Sequence, residues 1–275
     1  MQSRDDANWL LHDLLTALAG DPAAAGFEVH YQPIVRLEDA AVVAVEALAR
    51  WYHPIAGYVD PASFTAAAER AGLAGVLDDF VLNYACADAE ALADAFDRYV
   101  DLHVNISASR LGRPQLEAAL ASVLQRHRLR PSRLVIEITE TSRIADLEAA
   151  ADAVHRIRQR NVGVALDDFG SGFNMLAQLH ALPVDVIKLD ASLIGSGANA
   201  LRTEALCRSV LGICEQMALK VIAEGIETVT QAQALRLMRC HLGQGYLYGS
   251  AMRLEQLGRS NDNATAARCA GSDVP

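Results

Sequence analysis

Eight polar side chains stand at the ends of short apolar runs, and their types suit metal-assisted chemistry. Glu46 follows AVVAV (41–45), Asn105 follows LHV, Glu137 follows RLVI, and Asp167 and Asp168 follow VGVAL. Lys188 follows DVI, Glu224 follows KVIA and Gln244 follows HLG. Five carboxylates brought to one place repel each other unless positive charge sits among them. Hard oxygen donors of this kind make a cage for divalent cations. Two such ions roughly 3.5–4 Å apart can clamp the attacking and leaving oxygens of an in-line displacement. Taken singly, a glutamate after an apolar strand is ordinarily a solvated loop residue, Asp167-Asp168 a turn and Lys188 a surface lysine. Their joint placement at successive strand ends carries the argument.

A closed parallel barrel would gather those ends, because its βα loops meet in one mouth. The hydrophobic pattern predicts strands at 27–35, 41–48, 100–105, 133–138, 162–167, 184–189, 219–224 and 242–248. Helices are expected near 61–71, 76–96, 114–128, 146–160, 173–181, 200–217 and 229–239. Only RLEDA (36–40) joins the first two strands, and a parallel crossover needs a dozen or more residues. The expectation is therefore an α/β fold, a modified TIM (β/α)₈ barrel with an antiparallel first strand. Asp167 and Asp168 would point to opposite faces of a strand, so both serve one site only if the chain turns there. The following FGSG offers a place for that turn.

The 275 residues suit one barrel of roughly 250 residues. Residues 1–26 read as a helical extension, with Trp9, Leu10, Leu14 and Leu18 near one face and capping the barrel. Residues 27–254 read as the barrel, and 255–275 as a disordered tail short of large apolar residues. Asp5 and Asp6 sit where a signal peptide needs positive charge, and no apolar run is long enough to span a bilayer. A net charge of −10 argues against a polynucleotide surface. Five cysteines without a CxxC pair fit a reducing cytoplasm, with Cys207 and Cys214 buried on one helix. The eight histidines contain no HExxH and read as surface or core residues. Val76, Phe80, Val81, Tyr84, Leu92 and Phe96 read as helix packing, and His53-Pro54 as a loop.

Taken together, QPI (32–34), EALARW (46–51), VNIS (104–107), EITE (137–140), DDFGSGF (167–173), IKLD (187–190), AEGIET (223–228) and QGYLYG (244–249) resemble the EAL-domain cyclic di-GMP phosphodiesterases. Eight blocks in order make the resemblance specific, and it covers about residues 27–254. It implies hydrolysis of cyclic di-GMP to linear pGpG with two Mg²⁺ or Mn²⁺ ions. It implies that Glu46, Asn105, Glu137 and Asp167 hold one ion, and that Asp167 bridges to a second held by Asp168 and assisted by Glu224. Lys188 is implied to orient the attacking water or offset negative charge, and Gln244 to position a water at the metal. Glu224 is implied as general base or as ligand. Arg50 is a candidate for a phosphate or guanine contact, with Gln32 and Leu48 as further substrate contacts. Glu140 and Glu227 are implied to hold the loop at 168–176. A homodimer is also implied.

The chain departs from the family pattern at Asn174-Met175, where two serines are usual, and at Thr65-Ala66, where Ile-Pro is usual. GSAM (249–252) lacks the usual proline. None of these touches an inferred ligand. The alternative reading is a catalytically silent receptor for cyclic di-GMP or a protein partner. Silent members typically lose acidic ligands, and this chain keeps them all. An unrelated Mg²⁺-dependent barrel enzyme is disfavoured by the eight-block match.

Overall fold

The computed structural model describes residues 2–139, 147–170, 175–194 and 200–257. Its elements in order are α1 (Gln2–Ala19), β1 (Phe27–Arg36), β2 (Val42–His53), β3 (Gly57–Val59), α2 (Pro61–Arg70), α3 (Ala74–Ala87), α4 (Ala89–Ala95) and β4 (Asp101–Ile106). There follow α5 (Pro114–His127), β5 (Leu134–Thr139), α6 (Leu147–Gln159), β6 (Gly163–Phe169), α7 (Met175–Ala181) and β7 (Val186–Leu189). The chain continues with α8 (Ala200–Gln216), β8 (Lys220–Ala223), α9 (Val229–Leu237) and β9 (Leu242–Gly243).

The sheet runs β1-β9-β8-β7-β6-β5-β4-β2, and β1 pairs back to β2 to close the barrel. β1 is antiparallel to both neighbours, as the five-residue connection requires. The other neighbouring pairs around the barrel are parallel. The outer face of the β1–β2 hairpin is sealed by aromatic packing. Phe27 stacks on Trp51 at 4.8 Å, with Phe64 of α2 edge-on to Phe27 at 5.5 Å. α1 packs against α2 and buries Leu14, Ala17 and Leu18, while its Asp13 meets His53 at 3.2 Å.

Local chemistry sets the helix starts. Asp60 accepts from the Ser63 N–H ahead of Pro61 at the first helical turn of α2. Thr228 and Gln231 form a capping box on α9.

Several expected elements differ. β2 runs on to His53 because β3 folds back on it, pairing Trp51 with Val59, so His53-Pro54 lies at a hairpin rather than in a plain loop. The helix expected over 76–96 is two, broken at Asp88, whose carboxylate turns inward to accept from the Tyr31 hydroxyl at 2.6 Å. Phe80, Val81, Leu92 and Phe96 are buried as expected, but Val76 and Tyr84 stay exposed. The last strand stops at Gly243 because the Gly245 backbone lies against that of Ile226. Residues 254–257 form a helical turn that buries Leu257, so the folded chain passes the boundary expected at 254. The tail expectation for 258–275 lies outside the described residues. Cys86, Cys207, Cys214 and Cys240 are buried and free, and no described helix is long and apolar enough to cross a membrane.

A Cβ at Gly245 would lie 2.2–2.3 Å from Ile226 backbone atoms, in a conformation with φ +156. Gly245→Ala is expected to cost about 3 kcal/mol, as overpacking against rigid backbone does, and a urea melt unchanged from wild type would refute that packing role.

Candidate metal centre at the barrel mouth

The barrel interior is layered. Ile34, Ala44, Val135, Ala165, Val186 and Ile222 form a buried apolar cluster, with Leu242 packed against it. Side chains alternate along a strand, so the residue two positions nearer the mouth faces the same interior. Those residues are Gln32, Glu46, Glu137, Asp167, Lys188, Glu224 and Gln244. On β4 the mouth position belongs to Asn105, which is level with Glu137 on β5. Strand period and barrel closure thus gather residues spread over more than two hundred positions.

Lys188 is the hub. Its Nζ lies 2.8 Å from Glu224 Oε1, 2.9 Å from Glu137 Oε2, 3.1 Å from Glu46 Oε2 and 3.2 Å from Asp167 Oδ1. Amides hold the rest of Glu46: Asn105 Nδ2 donates to its Oε1 at 2.8 Å and Gln244 Nε2 to its Oε2 at 2.6 Å. Gln244 Nε2 also donates to Gln32 Oε1 at 2.9 Å, and Gln32 pairs opposite Glu46 across the hairpin. Asp168 adopts φ +56 and the β6 register shifts between Leu166 and Phe169. The turn that brings both aspartates to one site therefore falls at Asp168 itself rather than in the glycine loop after it.

Burial opposes a charge on Lys188, yet Asp167, Glu137, Glu46 and Glu224 hold its pKa well above the ordinary lysine value. Burial also opposes ionisation of Glu46, but Lys188 and the Gln244 and Asn105 amides outweigh it and hold that carboxyl at about 2. Glu137 and Glu224 are pushed well above the carboxylate range, chiefly by burial. Asp168 rises to about 6 through burial and the neighbouring Asp167. One ammonium does not neutralise five carboxyl groups.

Divalent cations fit this donor set. Ligand oxygens of Glu46, Glu137 and Asp167 lie within 4.8 Å of one another, as do those of Asp167, Asp168 and Glu224. Asp167 belongs to both groups, as a bridging ligand would. Asp167 Oδ1, although at ion-pair distance from Lys188, is buried without a hydrogen bond, and so is Gln244 Oε1. Buried oxygens left in that state ask for a partner.

Above the cage opens a groove of about 890 Å³ lined by Gln32, Arg50, Glu224, Glu227 and Gln244 among others. Arg50 follows Glu46 and Leu48 on the same face of β2, and its Nη1 donates to the Ala49 carbonyl at 2.8 Å. Leu48 lines a smaller cavity beside Asn105. Glu227 is exposed at the lip, and Glu140 and residues 171–174 of the loop it was expected to hold lie outside the described residues. Two features escaped the sequence reading. Tyr52, Tyr58 and Tyr246 all line the groove, the first two carried by the β2–β3 hairpin. His103 lies buried beneath the cage, its Nδ1 2.7 Å from Glu137 Oε1. Burial, then Lys188, pushes its pKa down to about 4, leaving the ring neutral near pH 7. The period-2 rule applied backward from Asn105 would have found it.

Known proteins share both the sequence pattern and the fold of this barrel. The model of the EAL domain matches residues 13–251. The chain is 39% identical over 229 residues to an uncharacterized signaling protein of Caulobacter vibrioides, covering 83% of this chain and 28% of that protein. It is 36% identical over 230 residues to the cyclic di-GMP phosphodiesterase NbdA of Pseudomonas aeruginosa, covering 84% and 29%. The structure of the PaMucR phosphodiesterase in complex with c-di-GMP matches with a TM-score of 0.81 at 32% identity, over 89% of this chain and 99% of that one. The EAL enzyme Bd1971 in its cAMP-bound form gives 0.84 at 28% identity, over 94% and 71%. The chain belongs to the EAL domain family, and it spans less than a third of the length of those two curated relatives.

The protonation of the cage makes two expectations measurable. Glu137, Glu224 and Asp168 have folded-state pKa values above those of an unfolded chain. The stability they contribute without metal is complete below about pH 4 and is lost as pH rises through their folded values, for Asp168 about 6. Cations displace those protons, so Mn²⁺ should raise Tm more at pH 8 than at pH 5.5; equal shifts at both would contradict the assignment. At pH 8 Lys188→Met should lower metal-free stability by about 3–5 kcal/mol, the cost of stranding buried charge, and Mn²⁺ should restore much of it. A denaturation midpoint that did not move would show that the ammonium is not what balances the cage.

Proposed function

We propose that this chain hydrolyses one phosphodiester bond of cyclic di-GMP, giving linear pGpG. The observation that supports this best is the pair of carboxylate groups sharing Asp167 beneath an open groove. Relatives named as cyclic di-GMP phosphodiesterases support the choice of ligand. Glu46, Asn105, Glu137, Asp167, Asp168 and Glu224 would hold two Mg²⁺ or Mn²⁺ ions. Bound there, such ions polarise a phosphoryl oxygen and lower the pKa of water.

The chain's own residues supply the remainder. Glu224 borders both cage and groove, which puts its carboxylate where it can take the proton of the attacking water. Lys188 keeps its proton and so acts as a fixed positive charge toward the developing negative charge rather than as a base. Gln244 Oε1, a buried acceptor without a partner, can take a hydrogen bond from that water and aim it. Arg50 and Gln32 face the ligand from β2 and β1, with Arg50 able to fork two bonds to a phosphate. The three groove tyrosines offer faces on which a purine can stack. The reading extends to a homodimer, which sedimentation velocity checks.

The complete acidic set favours an enzyme over a silent receptor. With purified protein, cyclic di-GMP and Mg²⁺, chromatography should detect pGpG, and excess chelator should stop its formation. Glu46→Ala should lower turnover by more than about 100-fold, since even residues behind a metal's ligands contribute that much. Cyclic di-GMP binding without product would instead establish the receptor.

A further inference from the structure

The lower layer of the barrel has one polar intruder. β1, β2, β5, β6, β7, β8 and β9 each place an aliphatic residue directly below their mouth residue: Ile34, Ala44, Val135, Ala165, Val186, Ile222 and Leu242. On β4 the residue two positions below Asn105 is His103. Its lateral neighbours in register are Glu46 on β2 and Val135 on β5. An aliphatic side chain would suit the apolar plug, and burying an imidazole there costs desolvation. His103 is only 4% exposed, and its Nδ1 lies 2.7 Å from Glu137 Oε1. Glu137 is itself fully buried, and its second oxygen, Oε2, faces Lys188 at 2.9 Å.

We infer that His103 is a positioning residue for the metal centre, whose Nδ1–H grips one oxygen of Glu137 and thereby aims the other into the cage. The inference rests on the metal-dependent reading above and adds a residue that none of the eight motifs contains. As a ligand, Glu137 has a carboxylate that accepts at Oε1, so the ring proton sits on Nδ1. Among the described residues no other donor meets Oε1, so without that bond it would be a buried acceptor left unpaired, and the side chain could rotate away from the position in which Oε2 meets a cation. Hydrogen bonds of this kind behind a ligand typically set metal affinity by 10–100-fold.

Two variants separate positioning from packing. His103→Val fills the layer with the kind of side chain its neighbours use, yet removes the donor. His103→Asn can place Nδ2 close to where Nδ1 stood and keeps it. Mn²⁺ titration of the full chain, followed by the EPR signal of the free ion, should show His103→Val binding about 10–100-fold more weakly than wild type. His103→Asn should lie near wild type. The metal-free Tm of His103→Val should match or exceed that of wild type, and its turnover should recover at high Mn²⁺. Wild-type Mn²⁺ affinity in His103→Val would overturn the inference alone, as would an equal loss in both variants. A wild-type chain that binds no Mn²⁺ would overturn the metal-dependent reading, and this inference with it.

Discussion

The ammonium of Lys188 stands within 3.2 Å of four carboxylates, three from strands β2, β5 and β6 and one from Glu224 just past β8, and the barrel mouth is organised around it. Burying one lysine this completely is costly unless opposite charge surrounds it. Burying four carboxylates is costlier still, so each side of the cluster is tolerated because of the other. The match is incomplete, because one positive charge faces several negative ones. That residual imbalance is what a purely structural ion-pair network would be expected to remove, and the chain retains it. Burial pushes Glu137 and Glu224 well above the carboxylate range, so protons held there can offset part of the imbalance. Divalent cations can offset more.

The fold contributes regularity rather than chemistry. Parallel strands deliver side chains of period two to a common interior, so an aliphatic layer and a polar layer stack one above the other. The aliphatic layer closes the barrel below the cage and keeps bulk water from screening it from that side. At the mouth, β6 breaks the period with Asp168 at positive φ. That departure gives one strand two acidic residues at the same mouth. A non-glycine residue in this region of backbone space is strained, and here the strain coincides with the second group of candidate ligands.

Much of this was legible in the sequence because it depends on strand ends. A run such as VGVAL followed by Asp-Asp gives both element and exit point, and the short RLEDA connection dictates the reversed first strand. What was hidden depends on contacts between distant segments. The break at Asp88 comes from the Tyr31 hydroxyl, 57 residues away, and no local pattern announces it. β9 is cut short because Gly245 must approach the backbone of Ile226, while the sequence QGYLYG still reads as extended. The hairpin carrying Tyr52 and Tyr58 is missed because β3 has only three residues. His103 was obscured differently: its period was correct, but a histidine in a strand has several ordinary explanations until its partner is seen.

The charge of the groove links the cage to its ligand. Arg50 is the sole arginine or lysine among the described residues that line it, while Asp190, Glu224 and Glu227 are all present there. The chain as a whole carries −10. A ligand with two phosphodiester charges would meet net repulsion over such a surface, and at 0.15 M salt that repulsion is screened only beyond about 8 Å. One guanidinium does not reverse the sign of the site. Cations held by the cage would do so at the position where a phosphate must dock. Under the proposed function, the ions that would activate the hydrolysis would also make binding of an anionic substrate possible, so metal should govern cyclic di-GMP affinity as well as turnover, and the acidic excess is what couples the two.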